Sequence, residues 1–206
     1  MTRPALPRPL PARFAAGAIA AIATIAAPTA EAQTVVDTRP ARFFLGAGLT
    51  GGGDRLFTAR FTDGSDYTLR AGALVQLHGG VEFRVAPAVS VAVSVGYHVD
   101  SADARNGSTW FRRVPVEALA HVDIHPQWRL GGGLRVALSP RLSSDGAAPY
   151  TDEDFETALG PVIEIEHRFN HWFGLKLRAV SERYKSKAGL PTVNGDHVGL
   201  FANFYF

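Results

Sequence analysis

Residues 89–99 read VSVAVSVGYHV. Val89, Val91, Val93, Val95, Tyr97 and Val99 fall on one side of a two-residue repeat, and Ser90, Ala92, Ser94, Gly96 and His98 on the other. Strict alternation marks a β-strand with different surroundings on its two faces. The same period separates Pro161, Ile163, Ile165, His167 and Phe169 from Val162, Glu164, Glu166 and Arg168. It separates Phe173, Leu175, Leu177 and Ala179 from Gly174, Lys176 and Arg178, and Val114, Val116, Ala118, Ala120, Val122 and Ile124 from Pro115, Glu117, Leu119, His121 and Asp123. Eight such runs are expected, at roughly 43–53, 69–85, 89–99, 111–124, 128–139, 156–169, 172–183 and 196–206. They exceed the usual soluble strand and reach the length that crosses a bilayer at a tilt.

The connections carry a second pattern. APA (86–88), HPQ (125–127) and NH (170–171) are minimal, whereas the intervening links, such as LFTARFTDGSDYT and SPRLSSDGAAPYTDED, are long and polar. Short and long links alternate, as in an up-and-down barrel with tight turns at one end and loops at the other. The expected fold class is therefore all-β, an eight-stranded antiparallel up-and-down transmembrane β-barrel.

Period two alone does not say which face is outside. A soluble, lipocalin-like barrel would bury the apolar face around a ligand. Threading the chain places Phe43, Phe83, Trp128, Phe169, Trp172, Phe173, Phe204 and Phe206 near the short-turn end. Phe57, Tyr67, Tyr97, Trp110, Phe111, Tyr150, Phe155 and Tyr184 fall toward the other, with aliphatic residues between. Two aromatic girdles flanking an aliphatic band point to a membrane barrel. The polar face is nearly charge-balanced: Glu82, Glu117, Asp123, Glu164 and Glu166 oppose Arg70, Arg84, Arg129, Arg135, Arg168, Lys176 and Arg178. In a narrow barrel these twelve are expected to pair across the lumen.

The start of the chain fits export. Arg3, Arg8 and Arg13 precede an apolar run, Phe14 to Ala27, and Ala30 and Ala32 supply small residues for cleavage. Residues 1–32 read as a signal peptide and 33–206 as the barrel domain. Without the leader, 18 basic and 18 acidic residues remain of the 21 and 19 in the chain, so nucleic acid is not an expected partner. There is no cysteine, so no disulfide holds the exported fold.

These features resemble the small OmpA/OmpX-type outer-membrane β-barrels of Gram-negative bacteria. The resemblance is sharpest in the terminal segment HVGLFANFYF, where His197, Gly199, Ala202, Phe204 and Phe206 match the family's terminal strand. It implies location in the outer membrane, contact with membrane lipid and lipopolysaccharide, recognition of the last strand by the barrel-assembly machinery, and a monomer. It also implies that the last strand closes on the first. A structural or surface-interaction role with a plugged lumen is the leading expectation. A narrow channel and a lipid-modifying enzyme are the alternatives within that class.

No catalytic residue, metal or cofactor is assigned. The GAGLTG stretch (Gly46, Gly48, Gly51) fits a dinucleotide fingerprint but is not followed by the required helix. His121/His125 and His167/His171 would lie about 13 Å apart on a strand, too far to share a zinc ion. His98 and Ser101, with Asp100 and Asp103, lack the compact His-x-Ser pattern of barrel lipases and read as a polar rim. The NGS at Asn106 reads as a turn.

Overall fold

The computed structural model describes residues 39–60, 66–104, 107–146 and 152–206. Ala30, Ala32, Asn106 and Tyr150 lie outside them, as do the side chains of Phe57, Tyr67 and Asp103. Thirteen strands are formed: β1 Ala41–Gly52, β2 Arg55–Arg60, β3 Asp66–Arg70, β4 Leu74–Ala86, β5 Val89–Ala104, β6 Gly107–His125, β7 Trp128–Gly146, β8 Glu153–Asp154, β9 Ala158–Arg168, β10 Phe173–Val180, β11 Arg183–Tyr184, β12 Val193–Asn194 and β13 His197–Tyr205.

Eight of them close an antiparallel barrel in the cyclic order β1, β4, β5, β6, β7, β9, β10, β13. The closing pair is β1 with β13, in register from Phe44 opposite Tyr205 to Gly52 opposite His197. Closure leaves no barrel strand with an open edge, which removes the template for edge-to-edge aggregation. Short turns link β4 to β5, β6 to β7 and β9 to β10. In the last of these, the Asn170 side-chain oxygen accepts the backbone N–H groups of Trp172 (3.0 Å) and Phe173 (2.8 Å), which tightens the reversal.

The expected second run does not form one strand. Residues 66–70 leave the barrel wall and pair with β2 as a separate hairpin, so the wall strand starts at Leu74. The cause is apolar: Leu69 and Ala71 are fully buried in a cluster at the long-loop end. The third, fourth and fifth runs extend past their expected ends, to Ala104, back to Gly107 and to Gly146.

Burial inverts the pattern of a soluble barrel. Leu45, Leu49, Val93, Val95, Leu134, Ile163, Val198 and Leu200 stand exposed on the outer wall, while Arg135, Glu166 and Arg178 are buried within. A lipocalin-like barrel requires the reverse. Of the eight aromatic residues expected at the short-turn end, Phe43, Phe83, Phe169, Trp172, Phe204 and Phe206 are exposed, and Trp128 and Phe173 are half-buried.

The second girdle differs. Of its expected members, Tyr97 is exposed and Trp110 half-buried, whereas Phe111, Phe155 and Tyr184 are buried inside. They pack with Leu69, Ala71, Ala137, Leu142 and Ala158 into an apolar cap over the lumen. Phe111 meets Phe155 edge-on at 5.7 Å and Tyr184 at 5.4 Å. A bulge makes this possible. Ser139 and Pro140 both stand opposite Arg113, and Ser139 takes a positive φ of 48°. The extra residue switches the inward parity of β7 from Ala137 to Leu142 and aims Leu142 into the cap.

Close approach of strands at glycines gives a direct test. A Cβ on Gly133 would lie 2.1 Å from the Ala118 carbonyl oxygen, whereas one on Gly132 has only the Val162 oxygen nearby, at 3.8 Å. Gly133→Ala is expected to cost about 1–3 kcal/mol in urea unfolding from detergent micelles. Gly132→Ala should stay within about 0.5 kcal/mol. Equal effects would contradict the observed register.

Candidate functional site: the charged lumen

The inward faces of the wall strands build three linked layers of polar side chains. Nearest the short turns, Glu82 accepts from Arg42 (2.8 Å) and Arg129 (2.6 Å), and Arg129 also binds Glu166. The Tyr205 hydroxyl accepts from Arg129 (2.5 Å) and donates to Glu166 (2.6 Å), while the Arg42 guanidinium lies 4.1 Å over its ring. Five strands thus meet at one layer.

In the middle, Glu164 receives Lys176 (2.7 Å), Arg178 (2.7 Å) and His121 (2.7 Å). Arg178 bridges to Glu117 at 2.8 Å, and Glu117 also accepts from Arg135 at 3.2 Å. With its amide oriented to satisfy both ends, Asn203 accepts from Lys176 (3.1 Å) and donates to His78 Nε2 (3.2 Å). Glycine makes room here: a Cβ on Gly46 would strike Asn203 and His78, and one on Gly48 the Phe201 ring. The GAGLTG stretch is therefore a strand shaped by lumen packing.

Toward the loops, Arg135 donates to Glu182 (2.7 Å), to Gln76 (2.8 Å) and toward His98 (3.1 Å). Tyr184 donates to the second oxygen of Glu182 at 2.5 Å. Burial pushes the Tyr184 phenol well above the ordinary tyrosine range, so it remains a donor. Above this layer sits the apolar cap.

Eight of the twelve residues expected in the lumen meet there: Glu82, Glu117, Arg129, Arg135, Glu164, Glu166, Lys176 and Arg178. Arg168 pairs with Asp123 at 3.0 Å, and Arg84 stands 3.7 Å from Asp123, at the short-turn rim. Arg70 is corrected: it is exposed on the loop hairpin, with its guanidinium on the Gly53 carbonyl at 3.2 Å. The hairpin diverts it from the wall. His98 and Asp100 also depart from the polar-rim reading, since both are fully buried.

Arg42, Arg113 and Glu182 were not foreseen in the network. Each lies on the inward parity of its strand, Glu182 two residues beyond Val180 and Arg113 four before Glu117. Applying the alternation over the whole of the fourth and seventh runs finds Arg113 and Glu182, and carrying it one residue ahead of the first run finds Arg42. Among the described residues, no group of three or more histidine, aspartate or glutamate side chains could hold a metal ion. His121 lies in the lumen and His125 is exposed at the turn; His167 packs against Trp128 at 4.6 Å and Phe169 at 4.5 Å on the outer side.

No family model matches the sequence, and no curated protein sequence matches it. Solved structures do match in shape. Neisserial surface protein A aligns over 82% of this chain and 98% of its own, with 12% identity and a TM-score of 0.52. Ail, the attachment invasion locus protein of Yersinia pestis, aligns over 81% and 97%, with 13% identity and a TM-score of 0.51. Ail has also been solved with the heparin analogue sucrose octasulfate, and that structure aligns with a TM-score of 0.50. The likeness is one of fold: the chain has the eight-stranded architecture of the small outer-membrane barrels.

Arg129 ties two carboxylates and a tyrosine together at full burial. Arg129→Met leaves Glu82 and Glu166 short of their shared cation and is expected to cost about 3–5 kcal/mol of unfolding free energy. Urea titration of the refolded variant in micelles measures this. A loss below about 1 kcal/mol would mean that the layer is not desolvated.

Proposed function

We propose that this chain is an exported integral protein of the Gram-negative outer membrane, a plugged barrel whose long-loop end carries its interactions. The observation that carries this reading is the inverted polarity of the wall. Ile163 is 64% exposed between strands whose inward neighbours, Glu164 and Arg178, are buried and paired. An apolar band encircling a barrel is unfavourable against water and favourable against acyl chains.

Residues 1–32 act as the signal peptide, cut after Ala30-Glu31-Ala32, and the barrel spans the membrane as a monomer. His197, Gly199, Ala202, Phe204 and Phe206 form the strand presented to the barrel-assembly machinery. Membrane lipid and lipopolysaccharide surround the wall. The three charged layers and the cap, whose side chains fill the lumen among the described residues, support the plugged reading. Surface contacts then fall to the loop end, where Arg55, Arg112, Arg183, Lys185 and Lys187 are exposed beside Asp152, Asp154 and Glu156. No catalytic role is assigned.

Two measurements test this reading. Reconstituted in planar bilayers, the protein is expected to give no stable single-channel steps; clear openings abolished by changes at Arg135 or Glu164 would overturn the plugged lumen. Ile163→Arg is expected to cost about 2–4 kcal/mol in lipid vesicles. At an equally exposed site in water the change would be nearly neutral, within about 0.5 kcal/mol. Purification of the mature chain as a soluble monomer without detergent would overturn the membrane reading itself.

A further inference from the structure

The hydrogen bonds of the upper lumen do not balance. Arg113 faces inward from β6 and is 1% exposed. One terminal nitrogen, Nη2, meets His98 Nε2 at 3.1 Å, and the guanidinium lies 5.0 Å from the Phe111 ring centre and 5.8 Å from that of Tyr184. Its Nε and Nη1 have no hydrogen-bond partner among the described residues. Arg42, Arg129, Arg135, Lys176 and Arg178 each hold a glutamate. Arg113 has no carboxylate at ion-pairing distance among the described residues.

The neighbouring acceptors are engaged elsewhere, and among the described residues none meets Arg113 Nε or Nη1. Glu182 accepts from Arg135 with one oxygen and from Tyr184 with the other. Gln76 spends its oxygen on Arg135, and its amide nitrogen is buried without a partner. His98 is approached by three groups that can donate: Thr50 at 2.8 Å, Arg113 and Arg135. Asp100 holds the backbone N–H of Arg70 at 2.8 Å. One N–H on Arg113 Nε, two on Nη1 and two on Gln76 Nε2 are therefore left over. Against these five stand the Nε2 of His197, whose Nδ1 is within 2.7 Å of the Gly195 carbonyl, and the hydroxyl of Thr109 beyond Phe111.

We propose that the upper lumen binds a small monovalent anion of the halide class, held by Arg113 Nε and Nη1 with Gln76 Nε2 as a further donor. Water fits this account less well. It accepts through its oxygen but adds two O–H donors where acceptors are already short. A halide adds none, and its charge would sit against a buried guanidinium that has no carboxylate at ion-pairing distance among the described residues. The cap of Phe111, Phe155 and Tyr184 closes the site on the loop side and keeps the local dielectric low, which strengthens the contact.

The test is thermal unfolding of the refolded barrel in micelles, in sodium bromide or sodium gluconate at matched ionic strength, so that general screening cancels. A ligand that binds only the folded state raises the midpoint, here by about 2–4 °C for the unsubstituted protein. Arg113→Met should abolish the gain. If that variant fails to fold, Gln76→Leu, which keeps the guanidinium, should reduce it. Crystals grown in bromide should show an anomalous peak within about 3.5 Å of Arg113 Nε or Nη1. Equal midpoints in the two salts overturn the proposal, and so does a bromide crystal without that peak, which would assign the space to water. A peak without a midpoint gain would mean an adventitious ion only, and also overturns it.

Discussion

A charge inside a narrow barrel has no bulk water to solvate it, so each one must find its counter-charge among the residues that share the lumen. That constraint organises this protein. Glu82 and Glu166 share Arg129, Glu164 gathers Lys176, Arg178 and His121, and Glu117 links Arg178 to Arg135, which continues to Glu182. Partners come from strands far apart in sequence, such as Arg42 with Glu82 and Arg135 with Gln76. Buried ion pairs are weak evidence for stability, because desolvation offsets much of the attraction. Their better-supported contribution here is to register. A one-residue slip of any wall strand would turn its charges onto the apolar outer face.

The two ends of the barrel solve different problems. At the short-turn end the charges reach the rim, where Arg168 and Arg84 stand around the partly exposed Asp123. At the loop end the wall strands overshoot, and the chain closes the lumen with apolar side chains. Phe111, Leu142, Phe155 and Tyr184 come from β6, β7, the segment after β8 and β11, joined by Leu69 from β3 and Ala71 just after it. A soluble barrel uses its apolar residues inside along its whole length. Here the charged layers hold only scattered apolar side chains, such as Phe201, Leu119 and Val162, and the large apolar cluster sits where the barrel ends.

The barrel itself was legible because a closed strand has two faces and its side chains alternate between them wherever no bulge intervenes. Val93 and Ser94, or Ile163 and Glu164, show this from the sequence alone, and the tight links at Pro87, Pro126 and Asn170 show which strands are hairpin neighbours. Eight of the twelve lumen charges followed from the same parity. Arg70 did not, because alternation continues unbroken through a hairpin that leaves the wall. The loop-end aromatics misled for a related reason: an aromatic residue near a strand end satisfies a girdle and a cap equally well.

By itself the sequence determined the number of wall strands, the turn and loop ends, and which face of each wall strand is charged, because period and link length are local properties. Only the tertiary structure decided which charge meets which, that Phe111, Phe155 and Tyr184 point inward, and that Arg113 is left without a carboxylate. Those outcomes depend on shear around the closed sheet and on a single inserted residue at Ser139–Pro140, which reverses the facing of everything that follows it on β7. Closure couples residues dozens of positions apart, and no local pattern records that coupling.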